Sequence, residues 1–154
     1  MRPIARSVLL LLVAVALAAC GAEKKNDQVD SQTKPKVTVP SGKPPTTLEQ
    51  KDLSVGTGAA ATKGQKVSVH YVGVAFSTKK QFDASWDRGK PFEFILGNGD
   101  VIKGWDEGVA GMKVGGRRQL VIPPDLAYGA IGRPPAIGPN ETLVFVVDLL
   151  GVNS

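Results

Sequence analysis

A run of apolar residues that scarcely breaks from Thr142 to Leu150 constrains this 154-residue chain more than any other stretch. A strand with one wet face alternates apolar and polar residues, whereas a continuous valine-rich run needs cover on both faces. The segment is therefore expected as an inner strand of a sheet. Other segments keep the two-residue period of half-buried strands: Val67, Val69 and Tyr71 alternate with Ser68 and His70, and Phe92 and Phe94 flank Glu93 after Pro91. Arg118, Leu120 and Ile122 alternate with Gln119 and Val121 until Pro123-Pro124 ends the run. Only one segment has helical spacing, with Val101, Trp105, Val109 and Met112 on one stripe, Asp106 and Glu107 in its exposed middle, and Gly115-Gly116 beyond its end. Several strands and one helix predict an α+β domain, a single antiparallel β-sheet wrapped around one short α-helix.

The ends of the chain differ from this core. Arg2 and Arg6 precede an unbroken apolar run from Val8 to Ala19, which is too short to cross a bilayer as a helix and reads as an export signal over residues 1–19. Leu17-Ala18-Ala19-Cys20, followed by Gly21, resembles a bacterial lipoprotein lipobox at 17–20, in which a diacylglycerol is attached to the cysteine before cleavage. Cys20 then becomes a lipidated mature N-terminus; an ordinary signal peptide with Cys20 as a bystander is the alternative. It is the only cysteine, so no internal disulfide can form. A two-chain lipid anchors far more firmly than one acyl chain. Residues 20–45 are polar and proline-rich without an aromatic, and are expected as a flexible linker of roughly 25 to 30 Å reach. The folded domain is expected over 46–154.

Charge follows this division. The formal charge of +5 belongs to the signal and to the lysines of the linker, because residues 46–154 hold twelve Lys or Arg against eleven Asp or Glu. No basic stripe falls on the domain, so no nucleic-acid partner is expected. The linker lysines read as a solvated tail with, at most, weak attraction to anionic lipid. Metal and cofactor chemistry have no footing either. One histidine and one cysteine build no soft-ligand cluster, the one cysteine is expected to be acylated and so leaves the domain no Cys-His pair, and neither a P-loop nor a dinucleotide fingerprint is present. His70, inside a strand, reads as structural. Scattered carboxylates show no spacing that favours a glycosidase-like pair.

What the domain does offer is aromatics near turns and element ends: Tyr71, Phe82, Phe92, Trp105, Tyr128 and Phe145. Any one of them alone reads as core. Together with Phe82-Asp83, the Val101-Ile102-Lys103-Gly104-Trp105 segment, Ile122-Pro123-Pro124-Asp125-Leu126-Ala127-Tyr128-Gly129 and Leu143-Val144-Phe145, they resemble the FKBP family of peptidyl-prolyl cis/trans isomerases in order and spacing over essentially all of 46–154. The resemblance implies a shallow apolar cleft for a proline ring. Trp105 would be its floor, Tyr71, Phe92 and Phe145 its walls, Val101 and Ile102 one edge, and Phe82 and Ile137 its rim. The Ile102 N–H and the Tyr128 hydroxyl would donate to substrate carbonyls, while Asp83 would sit beside Tyr71 and pair with Arg88.

The same resemblance implies catalysis of X-Pro rotation with no cofactor and no metal. Arg133 stands where family members often carry histidine, and Pro135 and Gly138 exchange proline and glycine relative to the family loop, which bears on loop shape and sequence preference. Trp86 is open between a protein-contact site and a cover for the domain's own core. Taken with Cys20, the expectation is a monomeric isomerase tethered by lipid to the outer face of a bacterial membrane, acting on proline-containing exported polypeptides. Gly21, in place of an aspartate, weakly disfavours inner-membrane retention where there are two membranes. The alternative is a lipid-anchored binding module or chaperone that uses the same fold to hold partners.

Overall fold

The computed structural model describes residues 33–153; the expected signal, Cys20 and the first part of the linker lie outside them. Six antiparallel strands form one sheet: β1 (Glu49–Ser54), β2 (Lys66–Ala75), β3 (Gln81–Ala84), β4 (Phe92–Ile95), β5 (Arg117–Ile122) and β6 (Leu143–Asn153). Their order is β1-β5-β6-β2-β3, with β4 also paired to β2. The long apolar run is thus an inner strand, held between β5 and β2, and every residue from Leu143 to Leu149 is buried.

β2 is the strand that organises the cleft. One edge pairs with β6 along its whole length. Its other edge is shared end to end, β4 taking Lys66 to Val69 and β3 taking Val72 to Val74. Tyr71 lies at the break between these partners. Its backbone N–H, left without a strand neighbour, donates to the fully buried Ser85 Oγ at 2.9 Å. Ser85 opens a 3-10 turn, Ser85–Arg88, that fills the gap between β3 and β4.

Successive residues of a strand point to opposite faces, and both faces of this sheet are covered. On one, Val69, Tyr71, Leu120, Ile122, Phe145 and Val147 join Trp105, Val109 and Met112 in the main core. The helix α1 spans only Lys103–Gly108, so the expected stripe is divided: Trp105 lies in the helix, Val109 caps it and Met112 follows in a turn. α1 is pressed closely onto β5. A Cβ on Gly104 would lie 2.4 Å from Ile122 Cγ2 and one on Gly108 2.7 Å from Leu120 Cδ2, closer than real side chains approach. Asp106, expected to be exposed, is half-buried. Its carboxylate accepts from the N–H of Gly97 at 2.8 Å and of Gly99 at 3.1 Å, fastening the loop before the helix.

On the opposite face, Val72, Val74 and Ala84 are covered by Trp86 and by Val37 and Val39. Residues 33–45, the described part of the expected linker, contain neither helix nor strand, yet from Thr33 they lie along the sheet as a strap. Lys34 pairs with Asp87 at 2.5 Å, and the Thr33 carbonyl accepts from Arg117 Nη2 at 2.8 Å. Beneath the strap, Arg117 forms a two-pronged ion pair with the fully buried Asp148. Composition marks 33–45 as unable to fold alone; two valines spaced for one face are enough to lay it on an apolar surface that already exists.

β1 and β3 do not stand out in the sequence. β1 is an edge strand whose first four residues are exposed, so it lacks an apolar alternation, and β3 is four residues long.

Candidate functional site

Between α1, the β2 side of the main core and the loop 129–139 lies a cleft of about 690 Å³. Each element contributes for a local reason. β2 delivers Tyr71 at its break, β3 delivers Phe82 and Asp83, the 3-10 turn delivers Arg88, and β4 brings Phe92 opposite Val69. The helix raises Trp105 into the base, with Val101 and Ile102 at its entrance, while β6 supplies Phe145. All eleven domain residues singled out from the sequence line this one cleft; Cys20 lies outside the described residues. Asp100, Arg133, Pro134, Pro135 and Ala136 also line it. Of these, only Arg133 and Pro135 carried a signal in the sequence, as departures in the loop.

The base is an aromatic cluster with edge-on geometry. Trp105 is 4.9 Å from Tyr71 and 5.3 Å from Phe145 between ring centroids, both near-perpendicular, and 6.1 Å from Phe92. Such packing fixes ring orientation as well as burying area. Phe82 meets Phe145 edge-on at 5.5 Å across Gly73, where a Cβ would lie 2.7 Å from both rings. Phe92 is 36% exposed and forms an open wall. Ile137, expected at the rim, is buried in the main core and shows only one side to the cleft.

One polar group is built into this apolar bowl. The Tyr71 hydroxyl donates to Asp83 Oδ2 and accepts from Arg88 Nη2 at 2.9 Å, and Arg88 Nη1 lies 2.5 Å from Asp83 Oδ1. Burial, with the neighbouring Asp83 carboxylate, pushes the Tyr71 phenol up to about 12, so it stays a neutral donor. Burial alone would raise the Asp83 carboxyl, but the hydrogen bonds from Tyr71 and Arg88 outweigh it and hold Asp83 below the usual carboxylate range. The triad is closed on itself and charge-balanced.

Two donors remain open. The Ile102 N–H, just before the helix, engages no acceptor among the described residues. Tyr128 Oη accepts from Arg133 Nη1 at 3.3 Å, and its own proton has no acceptor among the described residues. His70 and Trp86 face away from the cleft. They stack at 4.2 Å on the far side of the sheet, so Trp86 covers the domain's own second cluster. An apolar bowl with two free donors at its edges can seat a nonpolar ring flanked by carbonyls; no strong nucleophile or metal-ligand set lines it.

A family profile described as FKBP-type peptidyl-prolyl cis-trans isomerase matches residues 58–150. The FK506-binding protein of Streptomyces anulatus is 60% identical over 120 residues, covering 77% of this chain and 97% of that protein. The peptidyl-prolyl cis-trans isomerase Fkbp12 of Drosophila melanogaster is 52% identical over 101 residues, covering 65% of this chain and 93% of its own length. Among solved structures, that of AtFKBP13 superposes with a TM-score of 0.66 at 41% identity, covering 71% of this chain and 96% of the other.

Proposed function

The chain belongs to the FKBP-type peptidyl-prolyl cis-trans isomerase family and is an isomerase of X-Pro bonds; from this we propose that it works through the Trp105 cleft, without covalent chemistry, on exported polypeptides. The barrier it lowers is amide resonance, about 18–20 kcal/mol, which is lost when the peptide bond twists. The twisted imide is less polar than the planar one. Water therefore favours the planar ground state, and an apolar bowl that takes the place of water favours the twisted form.

In this reading the proline ring rests on Trp105 between Tyr71, Phe92 and Phe145. The Ile102 N–H and the Tyr128 hydroxyl take the carbonyls on either side and hold them in the twisted geometry. The Tyr71–Asp83–Arg88 triad keeps the wall rigid and electrically quiet. Each ~1.4 kcal/mol of preference for the twisted form gives a tenfold rate gain. The observation that carries this reading is the pairing of an aromatic floor with two unengaged donors at one cleft. The test is cis/trans exchange of a proline-containing peptide, followed by NMR with the protein present and absent. Tyr128→Phe is expected to slow the catalysed exchange several-fold with little change in fold stability; an unchanged rate would remove Tyr128 from the mechanism.

The cellular setting belongs to the same proposal and rests on sequence. The apolar run ending at Leu17-Ala18-Ala19-Cys20 supports a lipid anchor on Cys20 that holds the domain outside the cytoplasm, where exported chains fold. Cys20→Ser is expected to release the protein from membranes or to block its maturation. Unchanged membrane association and gel mobility would overturn the anchor.

A further inference from the structure

Two charged groups of the cleft rim lack an ion-pair partner among the described residues, Asp100 and Arg133, and of the two only Asp100 has both carboxylate oxygens held by hydrogen bonds. Arg88 is committed to Asp83 and Tyr71. The carboxylate of Asp100 accepts from the Ile95 N–H at 3.2 Å and from Asn98 Nδ2 at 2.8 Å. Arg133 has no carboxylate partner among the described residues. Its one polar side-chain contact is the 3.3 Å hydrogen bond from Nη1 to Tyr128 Oη, and its guanidinium carbon lies 5.8 Å from the centroid of the Tyr128 ring.

The position of this guanidinium is set by the backbone beneath it. Arg133 and Ile137 exchange both backbone hydrogen bonds, at 2.8 and 3.0 Å, closing a small hairpin. At Gly132, with φ +67°, a Cβ would lie 2.3 Å from the Gly138 carbonyl oxygen, so the loop crosses itself at a point where only glycine fits. Ile137 anchors the hairpin in the main core. A closed, core-anchored loop thus carries an unneutralised cation to the edge of the site, against the tyrosine whose proton is free.

We infer that Arg133 is a specificity residue that receives a carboxylate from the polypeptide residue next to the proline, so that this isomerase favours an acidic side chain there. The inference rests on the cleft being the proline site. A guanidinium has five N–H donors in a planar fork suited to carboxylates, and only one of them is engaged here. Guanidinium is also weakly hydrated compared with ammonium, which lowers the cost of bringing a carboxylate to it. With Tyr128 donating to a backbone carbonyl and Arg133 to the adjoining side chain, the two contacts fall on one stretch of substrate. Arg133 is solvent-exposed, which limits the preference to roughly two- to fivefold at low salt.

The experiment uses the full chain and two sets of short peptides, identical except for Glu, Gln or Lys immediately before the proline in one set and immediately after it in the other. Catalysed exchange is measured by NMR near neutral pH at low salt and at about 0.5 M salt, where screening acts within a few ångströms. In at least one set the expected order is Glu, Gln, Lys, collapsing at high salt. Arg133→Gln should erase the advantage of Glu over Gln, and Arg133→Glu should turn the preference towards Lys. Equal rates for all three residues in both sets overturn the inference while leaving the isomerase reading intact. So does an Arg133→Gln variant that slows every peptide by the same factor, since that would make Arg133 only a prop for Tyr128. No acceleration of any peptide by the unsubstituted protein would overturn the proline-site reading itself, and this inference with it.

Discussion

At Trp105 the demands of packing and of the site diverge. The ring is 4% exposed, yet its indole N–H is buried without a hydrogen-bond partner among the described residues. An unmet buried donor costs about 1–3 kcal/mol, a cost that Trp86 on the back face bears as well; at Trp105 the large flat ring suits the proposed role of floor. Tyr71 shows the opposite arrangement, with its hydroxyl satisfied twice by Asp83 and Arg88. On the back of the sheet, His70 Nδ1 lies 2.8 Å from Ser85 Oγ while the ring stacks on Trp86. Burial lowers the His70 pKa from the usual 6.5, against the pull of Asp148, which raises it. A lowered pKa means that the unfolded chain takes up the proton first. Stability is therefore expected to be full above about pH 6.5 and to fall as the pH drops below it. Since His70 is the only histidine, urea-unfolding midpoints at pH 7.5 and pH 5.5 should differ in the natural protein and differ less in His70→Gln. An equal slope in both would assign the acid sensitivity to carboxylates.

Elements here owe their form to what they touch more than to propensity. Six residues with two glycines make a poor isolated helix, and α1 exists because those glycines let its backbone rest on Ile122 and Leu120. Gly104→Ala gains a little helix propensity but forces a methyl group into Ile122. Overpacking costs about 1–3 kcal/mol, so a net loss of about 1–2 kcal/mol is expected in urea denaturation, with a several-fold slower isomerase rate as Trp105 is lifted. Unaltered stability would show that the helix does not bear on β5. The same dependence on contact explains which elements could be read in advance. β2, β4 and β5 carry apolar periodicity because they face a core, and β6 carries an unbroken apolar run because it is covered on both faces. β1 has four exposed residues, and β3 is fixed by pairing Asp83 with Gly73 and Ala84 with Val72, so neither leaves a pattern in its own residues.

Across the whole molecule, the sheet separates two jobs: one face builds the cleft and the other carries the strap. Replacing Val37 and Val39 together by serine removes half-buried apolar area, an expected loss of about 1–2 kcal/mol, and should leave the catalysed rate per folded molecule unchanged because the strap lies across the sheet from Trp105. A parallel loss of rate would show that the two faces are coupled. The sequence by itself determined the α+β class, the inner strand from Thr142 onward, the single short helix and, through a family pattern spread over Tyr71, Phe92, Trp105, Tyr128 and Phe145, the residues that meet in the cleft. Those are properties of periodicity and of residue order, which a linear chain displays. Only the tertiary structure decided that Trp86 covers the domain's own back face, that Asp106 fastens a loop, that residues 33–45 lie along the sheet and that Arg133 reaches Tyr128 without a carboxylate partner. Each of those depends on which surfaces are brought within a few ångströms of one another, and proximity between residues far apart in the chain exists only once the sheet has formed.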